Sequence, residues 1–465
     1  MSDNKMPTSS ESGQAREQEQ KLEAQAAAAN SDAAPGGHDG DGAITTTAGA
    51  QQLAPFNQTK LGIVTVTVGL AVLVVFLANM VYLFGSSFGQ PHRNHVFKIA
   101  AVNYDVDDSL VWSALTQAYV VLHSDSFASF VFLPRSDYPD PDDLVHAVRE
   151  QGYWGAVYIN QGASSRLSSA IDGQSQTYNA SQALTYVWNE IRYPATSASV
   201  IRSGILQLQA AATKTFQAGA TARLLRAANS TTATNFQTAL AAYLTPFTAS
   251  EININPAPQA EKAFYNTVVM AMSIIQQNVF LIAFTTVSRQ LGLFSRQRRF
   301  KTSATWALLV GLAYTLLGSL VTTGYIWAFR EAWAVNASQF AITWMVLWLV
   351  QHTYYQLLDG TLALVPIQFF SFLLVTFVFV NISATVFPLE SMPGFYRWGH
   401  ALPAYQSFQV LLNVWSRGSH KLYEALPVLF TWWVVSASYA AVGTMKKVKD
   451  GRKGGGTGVA APAGI

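Results

Sequence analysis

No cysteine occurs anywhere in the 465 residues. Disulfides therefore cannot brace any part of the chain, and no thiolate is available to hold a metal or attack a substrate. Charge is also scarce. Asp, Glu, Lys and Arg make up 12% of the chain, roughly half the share usual in a soluble domain. The net charge of +3 is too small for an electrostatic hold on nucleic acid. No G-x-x-x-x-G-K-[ST] phosphate loop is present, so ATP used as an energy source would have to be hydrolysed by another chain. The first residues are polar and acidic and lack the apolar core of a cleaved signal peptide.

What the chain has instead is long apolar runs. Between Ala332 and Leu389 the only formal charge is Asp359. Runs of about 20 apolar residues cross a bilayer, and in lipid such runs must be helices because the backbone has to satisfy its own hydrogen bonds. Six spans are expected: Leu61–Phe84, far upstream and acting as an uncleaved signal-anchor, then Tyr265–Val287, Ala304–Phe329, Phe340–Leu357, Leu362–Val386 and Ala425–Met445. Leu358-Asp359-Gly360 reads as a tight turn between the fourth and fifth, since Asp-Gly is a strong turn signal.

Residues 1–60 are rich in Ala, Gly, Ser, Thr, Gln and Glu and read as a disordered tail. Residues 85–264 regain charge of both signs and read as a separate α/β domain. Its expected strands are Phe97–Tyr104, Phe127–Leu133 and Tyr153–Ile159, with helices over Asp107–His123 and from Pro141 toward Glu150. Its core is expected on Ile99, Val102, Phe130, Phe132, Val157 and Ile159. Thr185–Ala228 reads as mostly helical, Phe236–Leu244 as a short helix and Asn253–Pro258 as an extended link.

Orientation follows from the basic clusters. The loop after the second span carries Arg289, Arg296, Arg298, Arg299 and Lys301. The segment 446–465 carries Lys446, Lys447, Lys449, Arg452 and Lys453. The positive-inside rule puts both in the cytosol, along with the N-terminal tail, and puts the α/β domain outside. The sequons at Asn179, Asn229 and Asn336 then fall outside as glycosylation candidates. Asn381 lies too close to the bilayer for use, and Asn57 lies on the cytoplasmic side.

Candidate chemistry is thin. Asp105-Val106-Asp107 follows a strand, where a D-x-D pair can hold Mg²⁺ and attack phosphate, but carboxylates there also cap helices. No second acidic cluster of matching spacing accompanies it, so no enzyme activity, catalytic residue, metal or cofactor is expected. Within the spans the polar residues are Gln276, Gln277 and Asn278 in the second, His352 and Gln356 in the fourth, and Gln368 in the fifth. His352 and Gln356 share a face by their i, i+4 spacing, and Gln368 lies beyond the turn at similar depth. These three residues form a candidate polar face. It either borders a crevice for polar or amphipathic cargo or clamps two helices together. Trp344, Trp348, Trp432 and Trp433 read as packing or interface anchors.

Phe387–Tyr405 (FPLESMPGFYRWGHALPAY) resembles the stretch before the last span of ABC-2-type membrane domains, where a proline-bounded aromatic segment re-enters the outer leaflet. The order of one span, a large outer domain and five spans is similar to that class as well. Tyr153–Asn160 (YWGAVYIN), Ala163–Leu167 (ASSRL) and Trp188–Thr196 (WNEIRYPAT) resemble the fungal nitrosoguanidine-resistance family. That resemblance implies a multi-pass plasma-membrane protein linked to resistance against toxic small molecules, and it carries over no catalytic residues. The fold class expected is thus an α-helical polytopic membrane protein with 1+5 transmembrane helices, ABC-2-like, with a re-entrant segment near 387–420 and an extracytosolic α/β insert. Two functions fit. One is export or flipping of amphipathic compounds or lipids. The other is a non-transporting membrane organiser or sensor that affects resistance indirectly. The partners compatible with both are the lipid bilayer, a second copy of the chain in a homodimer, and a separate ATPase chain, with nucleic acid excluded.

Overall fold

The computed structural model describes residues 58–106, 109–418 and 421–453. The expected N-terminal tail, up to residue 57, and Asp107 and Asp108 lie outside those residues. Helix α1 (Gln58–Ser86) is followed by an α/β region: β1 (Lys98–Asn103), α2 (Leu110–Leu122), β2 (Ser129–Leu133), α3 (Pro141–Arg149), β3 (Gly155–Ile159), α4 (Ala163–Ile171), β4 (Leu184–Trp188), α5 (Ser203–Ser230), α6 (Ala233–Leu244) and β5 (Ala249–Asn253). The helices of the apolar block follow: α7 (Val268–Gln290), α8 (Phe300–Ala328), α9 (Ala337–Leu364), α10 (Ile367–Val386), α11 (Pro403–Ser416) and α12 (Leu422–Lys453).

The sheet runs β2-β1-β3-β4-β5. β1 pairs in parallel with β2 and β3, β3 is antiparallel to β4, and β4 is parallel to β5. The period-2 alternation of a strand divides its residues between two cores. Ile99, Ala101, Phe130, Val157 and Ile159 face one side, with α2, α4 and α5. Ala100, Val102, Ala156 and Val187 face the other, against Leu144 and Val148 of α3. Five of the six expected core residues are buried and Phe132 is half-buried. The helix starts have local causes. Asp140 and Asp143 form a reciprocal capping box around Pro141 at the first turn of α3, which satisfies two orphan N–H groups. Ser109, rather than an aspartate, caps α2, accepting from Trp112 N at 3.4 Å.

Two expectations about this region are corrected. The stretch from Thr185 is not helical at its start, because Leu184–Trp188 forms a strand buried on both faces. A strand covered on both sides shows no alternation and cannot be told from a buried helix by pattern. Ala249–Asn253, at the margin of the expected extended link, is a fifth strand at the sheet edge.

The turn expected at Leu358-Asp359-Gly360 does not exist. α9 is helical through all three residues and ends at Leu364. Pro366, which has no N–H and drives the preceding Val365 into an extended conformation, makes the break instead. Asp359 stays in the helix because its carboxylate pairs with Lys447 of α12. Gly360 stays because α12 passes so close that a Cβ there would lie 2.4 Å from the Tyr439 ring. The basic segment after Met445 is not a separate tail at its start, since α12 continues to Lys453.

Among the described residues, α1, α7, α8, α10 and α12 are long and apolar enough to cross a membrane. α9, which contains the expected span Phe340–Leu357, is not one of these five. It is 28 residues long, but it carries Gln351, His352, Gln356 and Asp359, and its stretch from Val350 to Gly360 is almost wholly buried among the neighbouring helices. Large apolar side chains are exposed along α1, α8 and α12, among them Leu73, Leu317 and Val434, as expected of faces solvated by lipid. The 387–420 segment forms two 3₁₀ turns, Leu389–Ser391 and Gly394–Ala401, followed by α11, which is buried on nearly every side.

The WNEIRYPAT stretch joins the sheet region to α11. Asn189 donates to Ser416 Oγ at 2.9 Å. Glu190 accepts from Lys262 Nζ at 2.5 Å, Asn253 Nδ2 at 2.8 Å and the Ala257 N–H at 3.0 Å. Burial works to raise the Glu190 carboxyl, yet these bonds hold it below the ordinary carboxylate range. Arg192 is buried, with its guanidinium 3.7 Å from the Trp154 ring centroid and a bond to the Tyr153 carbonyl at 3.0 Å. Burial pulls Arg192 down to about 10 against the opposing charge of Glu390, so it remains a cation at neutral pH. Tyr193, at φ 51, turns its ring edge-on to Phe408 of α11.

Candidate functional site

Polar residues of α7, α8, α9 and α12 gather along one seam between α8 and α9. On α8 the seam is a stripe of Gly311, Thr315, Gly318 and Thr322 at spacings of 4, 3 and 4, which is one helix face. Gly311 and Gly318 let α9 and α7 side chains lie directly on the α8 backbone. A Cβ at Gly311 would lie 2.5 Å from the Tyr355 ring, and one at Gly318 would lie 2.8 Å from Gln276.

Two clusters occupy the seam. In the first, His352 Nδ1 lies 3.2 Å from Thr315 Oγ1 and its Nε2 lies 2.9 Å from Gln356 Nε2. Gln356 Oε1 accepts from Ser436 Oγ of α12 at 3.0 Å. Thr315 Oγ1 donates to the Gly311 carbonyl at 2.8 Å and accepts from Trp348 Nε1 at 3.3 Å. A neutral imidazole with its proton on Nδ1 satisfies this chain: Gln356 donates to Nε2, and Nδ1–H donates to Thr315. In the second cluster, Gln351 Nε2 donates to Thr322 Oγ1 at 2.9 Å, and Gln277 Nε2 donates to Gln351 Oε1 at 3.2 Å. Among the described residues, Gln277 Oε1 and Asn278 Oδ1 are buried without a partner.

Each end of the seam meets a cavity. One, of about 380 Å³, lies between α8, α9 and α12 at the end of the bundle away from the sheet. His352, Gln356 and Asp359 contribute its polar groups, and Ala304, Ala437 and Ala440 are among its small apolar walls. The other, of about 580 Å³, lies between α7 and α8 toward the sheet and is lined by Gln276, Thr322, Met272 and Tyr325 among others. Both volumes fall in the range of ligand pockets, about 300–1,000 Å³. A polar floor between apolar walls suits an amphipathic molecule, with its headgroup inside and its tails toward lipid.

Of the three residues expected to form the polar face, His352 and Gln356 come together and line the first cavity. Gln368 does not join them. It is exposed on α10, because the helix break lies at Pro366 rather than at Gly360 and the register beyond it differs. Gln351, Thr315, Thr322 and Ser436 take its place. The G-x₃-T-x₂-G-x₃-T stripe on α8 is the signal in the chain that would have found the two threonines. Asp105 serves the backbone of a helix in the sheet region. Its carboxylate accepts from the Gly162 and Ser164 N–H groups at 3.0 and 2.9 Å, at the start of α4. Asn179, Asn229 and Asn336 are all exposed. Asn336 also caps α9 in a box with Gln339. Asn381 is fully buried and bonds to the Phe377 carbonyl at 2.9 Å, which leaves no room for a glycan on the folded chain.

Long apolar helices with lipid-type faces, joined to a small mixed sheet, define a multi-pass membrane protein. The chain belongs to the family described as Protein of unknown function (DUF3533), whose model matches residues 68–438. No curated protein and no solved structure matches it.

Proposed function

We propose that the protein passes amphipathic small molecules or lipids across the plasma membrane, by export or by flipping, and so confers resistance to toxic compounds of the nitrosoguanidine type. The observation that carries this is the polar seam between α8 and α9 with a cavity at each end. A buried polar path is costly in lipid unless it is fully satisfied or used. Here one end is satisfied, while Gln277 and Asn278 retain unpartnered oxygens. Flipping down a gradient needs no energy source, and export against one would draw on a separate ATPase chain. A rigid clamp is the second reading, favoured by the closed hydrogen-bond chain through His352. The double variant His352→Ala/Gln356→Ala separates the two. Passage predicts normal abundance with altered resistance. A clamp predicts that abundance and melting temperature fall and that resistance falls only in proportion.

The orientation proposed with this function is six spans, α9 included, with both termini in the cytosol, the sheet region outside and the 387–420 segment re-entering the outer leaflet. Asn179→Gln plus Asn229→Gln should then abolish most of a glycosidase-sensitive mass shift. Cleavage of the N-terminal tail by protease added to intact cells would refute it.

A further inference from the structure

At the end of the bundle away from the sheet, a pocket of about 600 Å³ opens between the end of α7, the loop after it, and α9 and α12. Thr285, Ser288 and Arg289 line one wall, and Lys447 and Asp450 line another. A second pocket shares Gly292, Ser295 and Gly451 with it and adds Arg296 and Arg298. Together the 289–301 loop and the end of α12 carry ten cations against one acid, Asp450. The positive-inside rule accounts for that excess, but it does not account for two further features.

The hydroxyls of Thr285 and Ser288 are both buried and have no hydrogen-bond partner among the described residues, and Ser288 is only 3% exposed. An unmade bond at a buried hydroxyl is destabilising, and here two such groups stand one helical turn apart on the same wall. The guanidiniums of Arg289, Arg296 and Arg298 also have no ion-pair partner among the described residues. The neighbouring lysines are already used: Lys447 pairs with Asp359, and Lys446 donates to the Ala363 carbonyl at 2.8 Å. Two free hydroxyl donors and three free guanidiniums form a set that an acceptor-only anion with several oxygens completes. Asp450 and the carbonyl end of α7 oppose an anion, and the three guanidiniums outweigh them.

The apolar residues on the same stretch of α7 and directly after it identify the source of that anion. Ile282 is 48%, Val287 47% and Leu291 73% exposed, which places lipid-type surface beside the pocket at the level where acyl chains meet headgroups. We propose that this pocket holds the headgroup phosphate of an anionic phospholipid. Thr285 and Ser288 donate to its oxygens, Arg289 and Arg296 pair with its charge, and the acyl chains lie along α7. The site does not depend on whether the cleft at His352 carries cargo.

Ser288→Ala tests this with every charge kept in place, so that general attraction of the basic surface to an anionic membrane is unchanged. The full chain, purified in neutral detergent, is melted alone, with phosphatidylcholine, with phosphatidylserine and with inorganic phosphate. Phosphatidylserine should raise the melting temperature of the wild type, and phosphatidylcholine and inorganic phosphate should not. Without lipid, Ser288→Ala should melt no lower than the wild type, because it removes an unpartnered hydroxyl. It should nevertheless lose most of the rise given by phosphatidylserine, and Arg289→Gln should lose it too. An equal rise in Ser288→Ala and wild type overturns the proposal. So does an equal response to phosphatidylcholine. Stabilisation by inorganic phosphate as strong as that by phosphatidylserine would make the site one for a free anion and overturn the lipid assignment.

Discussion

Gly443→Leu should abolish the accumulation of folded protein. α9 and α12 cross where Gly360 faces Gly443. A Cβ on Gly443 would sit 3.0 Å from the Gly360 Cα and 3.1 Å from the Ala363 Cβ. The obstacle is backbone and a methyl group, neither of which can rotate away. Small residues at such crossings let membrane helices approach closely, and that contact replaces the hydrophobic drive that lipid does not supply. Overpacking a tight core costs about 1–3 kcal/mol when side chains can yield, and here they cannot. Because the crossing also holds α12 against the cleft, separating the helices would open the seam at Gln356 and Ser436. Gly324→Leu is the control, since nothing lies within 4 Å of a Cβ at that position. Size-exclusion profiles of the solubilised variants should show Gly324→Leu like the wild type and Gly443→Leu aggregated or absent. A monodisperse Gly443→Leu with an unchanged melting temperature would show that the helices do not cross there.

Breaking the Asp359–Lys447 pair should be the next most damaging change. Their side chains are 11% and 15% exposed, so removing one partner leaves the other charge in a low-dielectric site. Losing one member of a buried pair costs roughly 3–5 kcal/mol, whereas replacing both with apolar groups is often near neutral. Lys447→Met and Asp359→Leu should therefore each lower the melting temperature strongly. The double variant should recover much of the loss, giving a large coupling in a double-mutant cycle. Additive losses would mean that the two groups do not interact. The pair also explains why an Asp-Gly dipeptide lies inside a helix. The carboxylate bonds across to α12 instead of to its own backbone, and the glycine is needed for helix contact rather than for a turn.

Local signals in the chain were legible. The apolar runs themselves, the strands β1 to β3, the start of α3 at Pro141 and the shared face of His352 and Gln356 all follow from spacing within one element. What was not legible depends on partners far away in sequence. Leu184–Trp188 shows no alternation because both its faces are covered. Asp359 and Gly360 read as a turn because their partners, Lys447 and Tyr439, lie some eighty residues further on. Gln368 was expected on the polar face by depth alone, but depth does not fix rotation about the helix axis, and the break at Pro366 leaves it exposed. Gln351 and Ser436 were missed because a single polar residue in a span does not reveal its partner across the bundle. The WNEIRYPAT stretch stands out in the sequence as a motif. Its role as the joint between Trp154, Asn253 and Ser416 needed the fold.

The most direct test of passage through the cleft uses the purified chain in lipid vesicles carrying a fluorescent phospholipid and, in parallel, a fluorescent amphiphile, with an external quencher that cannot cross. Ala440→Trp, on the cleft wall of α12, fills the space before His352 and Gln356 while leaving their hydrogen bonds in place. Passage predicts that the wild type exposes inner-leaflet label of at least one probe much faster than protein-free vesicles do. Ala440→Trp, reconstituted at equal amount and with an unchanged melting temperature, should return the rate to the protein-free level. Wild-type vesicles no faster than protein-free ones with either probe, or Ala440→Trp as fast as the wild type, would contradict it.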